Sequence, residues 1–82
     1  MAQSRTYSIV LRPEPEGGFT VRVPALPEIV THGENEQEAL TNAREAIELS
    51  LEHRLAEGDE LPESEAVTLR EVTVKLPAAS AA

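Results

Sequence analysis

One helix is written more plainly into this chain than any other element, and it stands alone. Asn35 and Glu38 have the spacing of a capping box, in which a side-chain acceptor and a Glu three residues on satisfy the first free N–H groups. Glu34, Glu36 and Glu38 place negative charge where the helix dipole is positive. Leu40, Ala43, Ile47, Leu51 and Leu55 recur at spacings of three and four, flanked by Ala39, Ala46 and Leu49. Gly58 stands where a left-handed residue closes a helix. The pattern predicts an amphipathic helix of about 20 residues, roughly 30 Å long. A single apolar stripe needs a single surface to cover, so the chain is restricted to two layers.

The rest of the chain supplies a sheet. Tyr7, Ile9 and Leu11 alternate with Ser8, Val10 and Arg12, and Phe19, Val21 and Val23 repeat the pattern. Period-2 alternation of this kind marks strands with one buried face. Between them, Pro13-Glu14-Pro15-Glu16-Gly17-Gly18 must turn, because proline fixes φ and glycine permits positive φ. Pro24 and Pro27 bracket an extended connection or bend, and Ile29–His32 reads as a third strand ended by Gly33. After the helix, Asp59–Glu65 reads as a loop and Ala66–Leu76 is β-prone. Val67 and Leu69 are in one phase, and Val72, Val74 and Leu76 in the other. The slip at Arg70-Glu71 implies either a bulge or two short strands serving different faces. The expected fold is α+β, in the order β-β-β-α-β: a three-stranded antiparallel sheet covered by one long helix, plus a C-terminal strand. Residues 1–76 form the expected single domain, and 77–82 a frayed tail.

Charge narrows the function. The 82 residues carry 15 acidic and 7 basic side chains, a net charge of -8. Nucleic-acid binding by counterion release needs Lys and Arg against phosphates, and anionic membranes are disfavoured for the same reason. A basic partner is the natural complement. With no cysteine there is no disulfide, thiolate metal site or Cys nucleophile. No apolar run is long enough to span a bilayer, and the start of the chain has no secretory signature. A cytoplasmic protein is expected.

At this point the residues resemble a known family. Val23-Pro24-Ala25-Leu26-Pro27, Thr31-His32-Gly33, Glu38-Ala39-Leu40 and Asn42-Ala43-Arg44-Glu45-Ala46-Ile47 are similar to the HicB family of antitoxins. Tyr7, Gly17, Gly18, Phe19, Val21 and the loop Gly58–Pro62 also fall on that pattern, and the resemblance covers about residues 6 to 64. It implies a partial ribonuclease-H-like fold without catalytic carboxylates. It also implies a partner: a small basic ribonuclease toxin of the HicA type, blocked by protein–protein binding. Two departures stand out. The family's Gly-Cys or Gly-His pair is Glu28-Ile29 here, so the bend after Pro27 cannot rely on glycine. The segment after Ser64 also has no room for the helix-turn-helix or ribbon-helix-helix domain that many members carry, so direct DNA binding is not expected.

No catalytic, cofactor-binding or metal site is expected. The 14 Glu and one Asp read as a solvated acidic surface, since acid–base work needs carboxylates in an enclosed cleft with separated pKa values. Glu45, Glu48 and Glu52 read as helix surface rather than as an oxygen cage. His32 ends a strand, and His53 lies where a helix C-terminus favours a cation. Gly17-Gly18 is followed by neither a helix N-terminus nor Lys, so it is not a phosphate loop. The expected partner-binding residues are Glu14, Glu16, Glu34 and Glu36, with an apolar contact from Val10. The last strand, with Val72, Val74 and Leu76, either completes the sheet within one chain or is an edge that pairs with another chain as the oligomer interface, and a homodimer or higher form suits so small a core. The competing reading is a solitary HicB-like oligomeric module with no toxin. A cryptic nuclease gains nothing from fold alone, because fold does not carry function.

Overall fold

The computed structural model describes residues 4–78. Three antiparallel strands, β1 (Val10–Pro13), β2 (Phe19–Arg22) and β3 (Val30–Gly33), form a sheet in the order β1-β2-β3. One helix, α1 (Glu36–Ala56), packs across β3 and β2. The α+β arrangement of three antiparallel strands and a covering helix is thus the one expected. The first strand is shorter than the alternation implies: ladder pairing begins at Val10, although Tyr7 and Ile9 still pack against the core.

Register fixes the faces. Leu11, Val21 and Thr31 are cross-strand partners, as are Pro13, Phe19 and Gly33. Val21 is fully buried with Ala39 and Ala43, and Ile9, Leu11 and Phe19 pack around them. Two successive turns follow β2, with Leu26 N–H donating to Val23 C=O and Ile29 N–H to Leu26 C=O, both at 2.9 Å. They tuck Leu26 under the end of the helix, where Val23, Leu26 and Ile29 form the second half of the core. The Pro24–Pro27 connection is therefore a compact double turn and not an extended crossing.

Both helix caps form. Asn35 Oδ1 accepts from Glu38 N–H at 2.8 Å. Glu38 reaches back one residue further than the usual box, accepting from Glu34 N–H at 2.7 Å. At the far end, Asp59 N–H donates to Arg54 C=O and Gly58 N–H to Leu55 C=O, with Gly58 at φ +79°. That is the Schellman arrangement.

The buried face of the helix matches the expected stripe in its middle, where Ala43 is buried and Ile47 and Leu51 pack on the core, and departs from it at both ends. Ala39 and Ala43 are buried, while Leu40 and Leu55 are exposed. At the start of the helix the reason is distance. A Cβ on Gly33 would lie 2.3 Å from the Ala39 nitrogen, so the helix backbone rests directly on β3. At that separation only small side chains fit between the layers near Gly33, and Leu40 is displaced to the flank.

After Leu61 and Pro62 the chain is exposed from Glu63 to Ala78 and pairs with no strand among the described residues. No strand is assigned over 66–76 among the described residues. The radius of gyration, 17.5 Å, exceeds the roughly 12 Å of a compact domain this long, as a projecting arm requires. Of the tail expected at 77–82, residues 79–82 lie outside the described residues.

The contact of Gly33 with Ala39 is open to a direct test. Gly33→Ala must push backbone against backbone and is expected to destabilise by about 3 kcal/mol. Gly58→Ala meets open space and carries only the left-handed penalty, about 1 kcal/mol. Urea denaturation followed by circular dichroism measures both, and equal losses would contradict the packing argument.

Candidate partner interface

The acidic residues meet because of two glycines. Gly17 (φ +105°) and Gly18 (φ +82°) close the β1–β2 turn, with Glu14 N–H bonded to Gly18 C=O at 3.0 Å and Gly17 N–H to Glu14 C=O at 2.9 Å. A Cβ on Gly18 would fall 2.7 Å from Gly33 O and 3.6 Å from the Glu34 Cα. The turn therefore lies against the β3–α1 junction. Glu14 and Glu16 from the turn, and Glu34 and Glu36 from the junction, share one end of the molecule.

They are not equally free. Glu14 accepts from Thr20 Oγ1 at 2.8 Å and pairs with Arg12 Nε at 3.4 Å. Its carboxylate is half-buried and braces the hairpin. Glu16, Glu34 and Glu36 have exposed side chains, and Glu36 sits in the first helical turn. Val10 does not join them. It pairs with Arg22 at the opposite end of β1, about 10 Å away at the usual strand rise.

Val10 belongs to a different surface. The uncovered sheet face carries the row Val10, Arg22, Val30 and the row Arg12, Thr20, His32. All but Thr20 are exposed. Its arginines differ in their surroundings: Arg12 pairs with Glu14, and Arg22 lies between Val10 and Val30. The even phase of Arg12 and Arg22 was visible in sequence, but their alignment with Val30 and His32 needed the register.

A third feature had no sequence signal. Glu28, standing where the family pattern has glycine, accepts from Arg54 Nη2 at 2.9 Å and from Ser50 Oγ at 3.1 Å. The double turn is thereby tied to the helix across 26 residues. The Arg54 hydrogen bond, helped by a backbone N–H, by Ser50 and by the charge of Arg54, outweighs slight desolvation and holds the Glu28 carboxyl below the usual carboxylate range. His32 and His53 lie apart on the sheet face and the helix. Among the described residues no group of three or more His, Asp or Glu could hold a metal ion. No helix there is long and apolar enough to cross a membrane.

The Glu28 link gives a pH prediction. A carboxyl lowered in the folded state stabilises above its unfolded pKa, and that stabilisation is lost as pH falls through the folded value. Half-exposed as the pair is, its worth at neutral pH is below about 1 kcal/mol. Glu28→Gln is therefore expected to lower stability slightly at pH 7 and to converge with the parent chain as pH drops below the carboxylate range. Paired thermal melts across pH check this, and a gap that widens in acid would contradict it.

Comparison with known proteins adds to this geometry. A family model described as a HicB-like antitoxin of bacterial toxin–antitoxin systems matches residues 6–82. A UPF0150 protein of Thermoplasma acidophilum is 34% identical over 68 residues, covering 83% of this chain and 94% of that one. The protein named antitoxin HicB 1 of Photorhabdus laumondii is 34% identical over 56 residues, 68% of this chain and 36% of its own length. The antitoxin HicB of Escherichia coli K12 is 32% identical over 56 residues, 68% of this chain and 41% of its own. The chain thus spans about two fifths of the named antitoxins and nearly all of the UPF0150 protein. No solved structure matches it.

Proposed function

The chain belongs to the HicB-like antitoxin family, and from that premise we propose that it is the binding partner of a small basic ribonuclease toxin of the HicA type. In this reading it is not an enzyme: it acts in the cytoplasm by covering the toxin's active surface. The observation that carries the proposal is the acidic end, where the β1–β2 turn lies against the start of α1 and presents Glu16, Glu34 and Glu36 together. Like charges gathered on adjacent loops raise the local potential and steer an oppositely charged protein into register. Glu14 contributes charge to the same end while holding the turn in place. Val10, on the uncovered sheet face, would contact a separate part of a partner, or none.

A second reading has its own observation. The unpaired arm after Pro62 exposes large apolar side chains, which suits an oligomeric module that works without a toxin. The two readings separate in one experiment. The tagged chain is isolated from its own cells under mild conditions, and everything that co-purifies is identified by mass. A small basic protein in fixed stoichiometry, toxic when expressed alone and harmless with this chain, supports the antitoxin reading. Recovery of the chain alone, as a defined homo-oligomer, supports the other.

With such a partner in hand, the acidic end is tested by charge reversal. Glu16→Lys, Glu34→Lys and Glu36→Lys combined are expected to slow association about tenfold at low salt, with the deficit shrinking as salt screens the field. Stopped-flow association rates measure this. Rates unchanged at low salt would remove the acidic end from the interface.

A further inference from the structure

The two edges of the sheet are not equivalent, and a proline shows which backbone groups face outwards. Pro13 has no N–H and stands opposite Phe19, so theirs is a non-hydrogen-bonded pair of the β1–β2 ladder. Glu14 N–H, donating to Gly18 C=O, puts the even residues in the bonded phase. Phe19 and Val21 therefore turn their N–H and C=O groups to β3, where they meet Gly33 and Thr31. Val30 and His32 then direct theirs away from the sheet. Asn42 agrees with this phase, since its Nδ2 donates to His32 C=O at 2.7 Å. The outer side of β1 is already engaged at its start, where Tyr7 Oη–H donates to Pro62 C=O and Ser8 N–H to Ser64 Oγ at 2.9 Å. At its end stands Pro13, with no N–H to offer. On β3, by contrast, Val30 N–H and C=O and His32 N–H face no strand among the described residues.

The helix supplies a wall beside this free edge. It runs opposite to β3: Asn42 bonds to His32, and two turns later Ser50 and Arg54 bond to Glu28. Between these ties Ala46 and Leu49 line a shallow depression. Leu49 is 68% exposed, and Val30 is 53% exposed. Charge names the occupant. Glu45 and Glu52 stand one turn before and after Leu49 on the same flank. Both are exposed, and neither is ion-paired among the described residues. Arg54 is held by Glu28. Glu34 and Glu36 follow directly where β3 ends, so the edge runs into the acidic end. Arg22, across from Val30, lies on the uncovered face, the side away from α1.

We propose that an extended basic segment of the toxin adds to this sheet as a fourth strand along the outer edge of β3. Its backbone pairs with Val30 and with His32 N–H, as in strand addition generally. Alternate side chains point towards α1, where apolar stems meet Leu49 and Lys or Arg heads meet Glu45 and Glu52. Asn42, holding His32 C=O, marks where the pairing stops. The inference rests on the antitoxin reading and gives it a mode of contact: the acidic end steers the toxin, and the edge of β3 holds it.

Amide hydrogen exchange on the full chain reads the edge directly, because ladder pairing protects backbone N–H groups. In the chain alone, Val30 and His32 are expected to exchange freely while Thr31, bonded to Val21, is protected. Protection of Val30 and His32 already present in the chain alone, and growing with its concentration, would mean that a second copy holds the edge, which overturns the proposal. With the co-purifying basic protein bound, both amides are expected to slow by roughly tenfold or more. A bound partner that leaves them exchanging as before overturns this inference and leaves the antitoxin reading intact. If no basic protein is recovered, that reading fails, and an alternating Val-Lys octapeptide becomes the probe. Protection of the same two amides by this peptide, and not by its Val-Glu counterpart, keeps β3 as a site for a basic strand; no protection at millimolar concentration removes it. Val30→Pro gives a second measurement. The N–H it removes points outwards, so the sheet gives up no bond of its own. Circular dichroism is expected to be unchanged while partner affinity falls roughly tenfold or more. A folded variant that binds as tightly as the parent chain overturns the proposal, and the exchange measurement decides if the variant does not fold.

Discussion

Everything in this fold is arranged around the absence of one Cβ. Gly33 lets the Ala39 backbone settle directly on the end of β3, and the same glycine's carbonyl receives the close approach of Gly18 from the hairpin turn. A strand end, a turn and a helix start are thereby stacked within van der Waals contact. Helix position then follows. Docked at Gly33, α1 runs back over β3 and β2, with Ala39 and Ala43 sealed beneath it. Close packing excludes larger side chains from that seam, because interiors tolerate neither voids nor overlap. Leu40 is pushed to the flank, where with Leu51 and Leu55 it faces a groove walled on the other side by Tyr7 and Ile9.

The same junction explains the charge distribution. A helix N-terminus attracts carboxylates, and Glu34, Glu36 and Glu38 are placed there for reasons of helix stability. Of these, Glu38 is consumed as the reciprocal cap of Glu34 N–H. The hairpin turn brings Glu14 and Glu16 to the same place, and Glu14 is in turn committed to Thr20 and Arg12. Residues that serve the fold and residues free for a partner thus alternate within a few ångströms. The uncovered sheet face is more mixed, with Arg12, Arg22 and His32 around Val10 and Val30 and Glu14 paired to Arg12 at its edge. The negative charge of the chain is therefore unevenly spread, gathered at the turn and helix start and sparse on the uncovered sheet face.

Much of this was legible in sequence. The helix limits could be read from Asn35 and Gly58, because caps depend on local chemistry. The two hairpin strands could be read from alternation, because a pleated strand has a fixed period. The bend at Pro24–Pro27 was legible as a break, though not as a double turn. The packed face of the helix was legible at Ala43, Ile47 and Leu51 but not at its start, where periodicity ranks Leu40 above Ala39 and the backbone contact at Gly33 inverts that order. The tie from Glu28 to Arg54 was invisible, since neither residue has a local reason to be where it is. Among the partner-binding candidates, proximity of the turn to the helix start was not deducible from spacing, and Val10's separation from the glutamates followed only from register.

The core within one chain is small: Val21, Val23, Leu26 and Ile29 with two alanines. Burying one large aliphatic side chain stabilises by about 2 kcal/mol, while ordering each residue of a free strand costs about 1–2 kcal/mol. Along a strand every second residue is buried, so an apolar segment such as Val72–Leu76, exposed in the single chain, would do little more than offset its own ordering wherever it docked. Leu40 and Leu55 are also exposed, but the helix already holds their backbone in place, so covering them carries only the cost of their side-chain freedom. By this reasoning any contact that covers the helix flank gains more from the leucines of α1 than from the valines that follow Pro62.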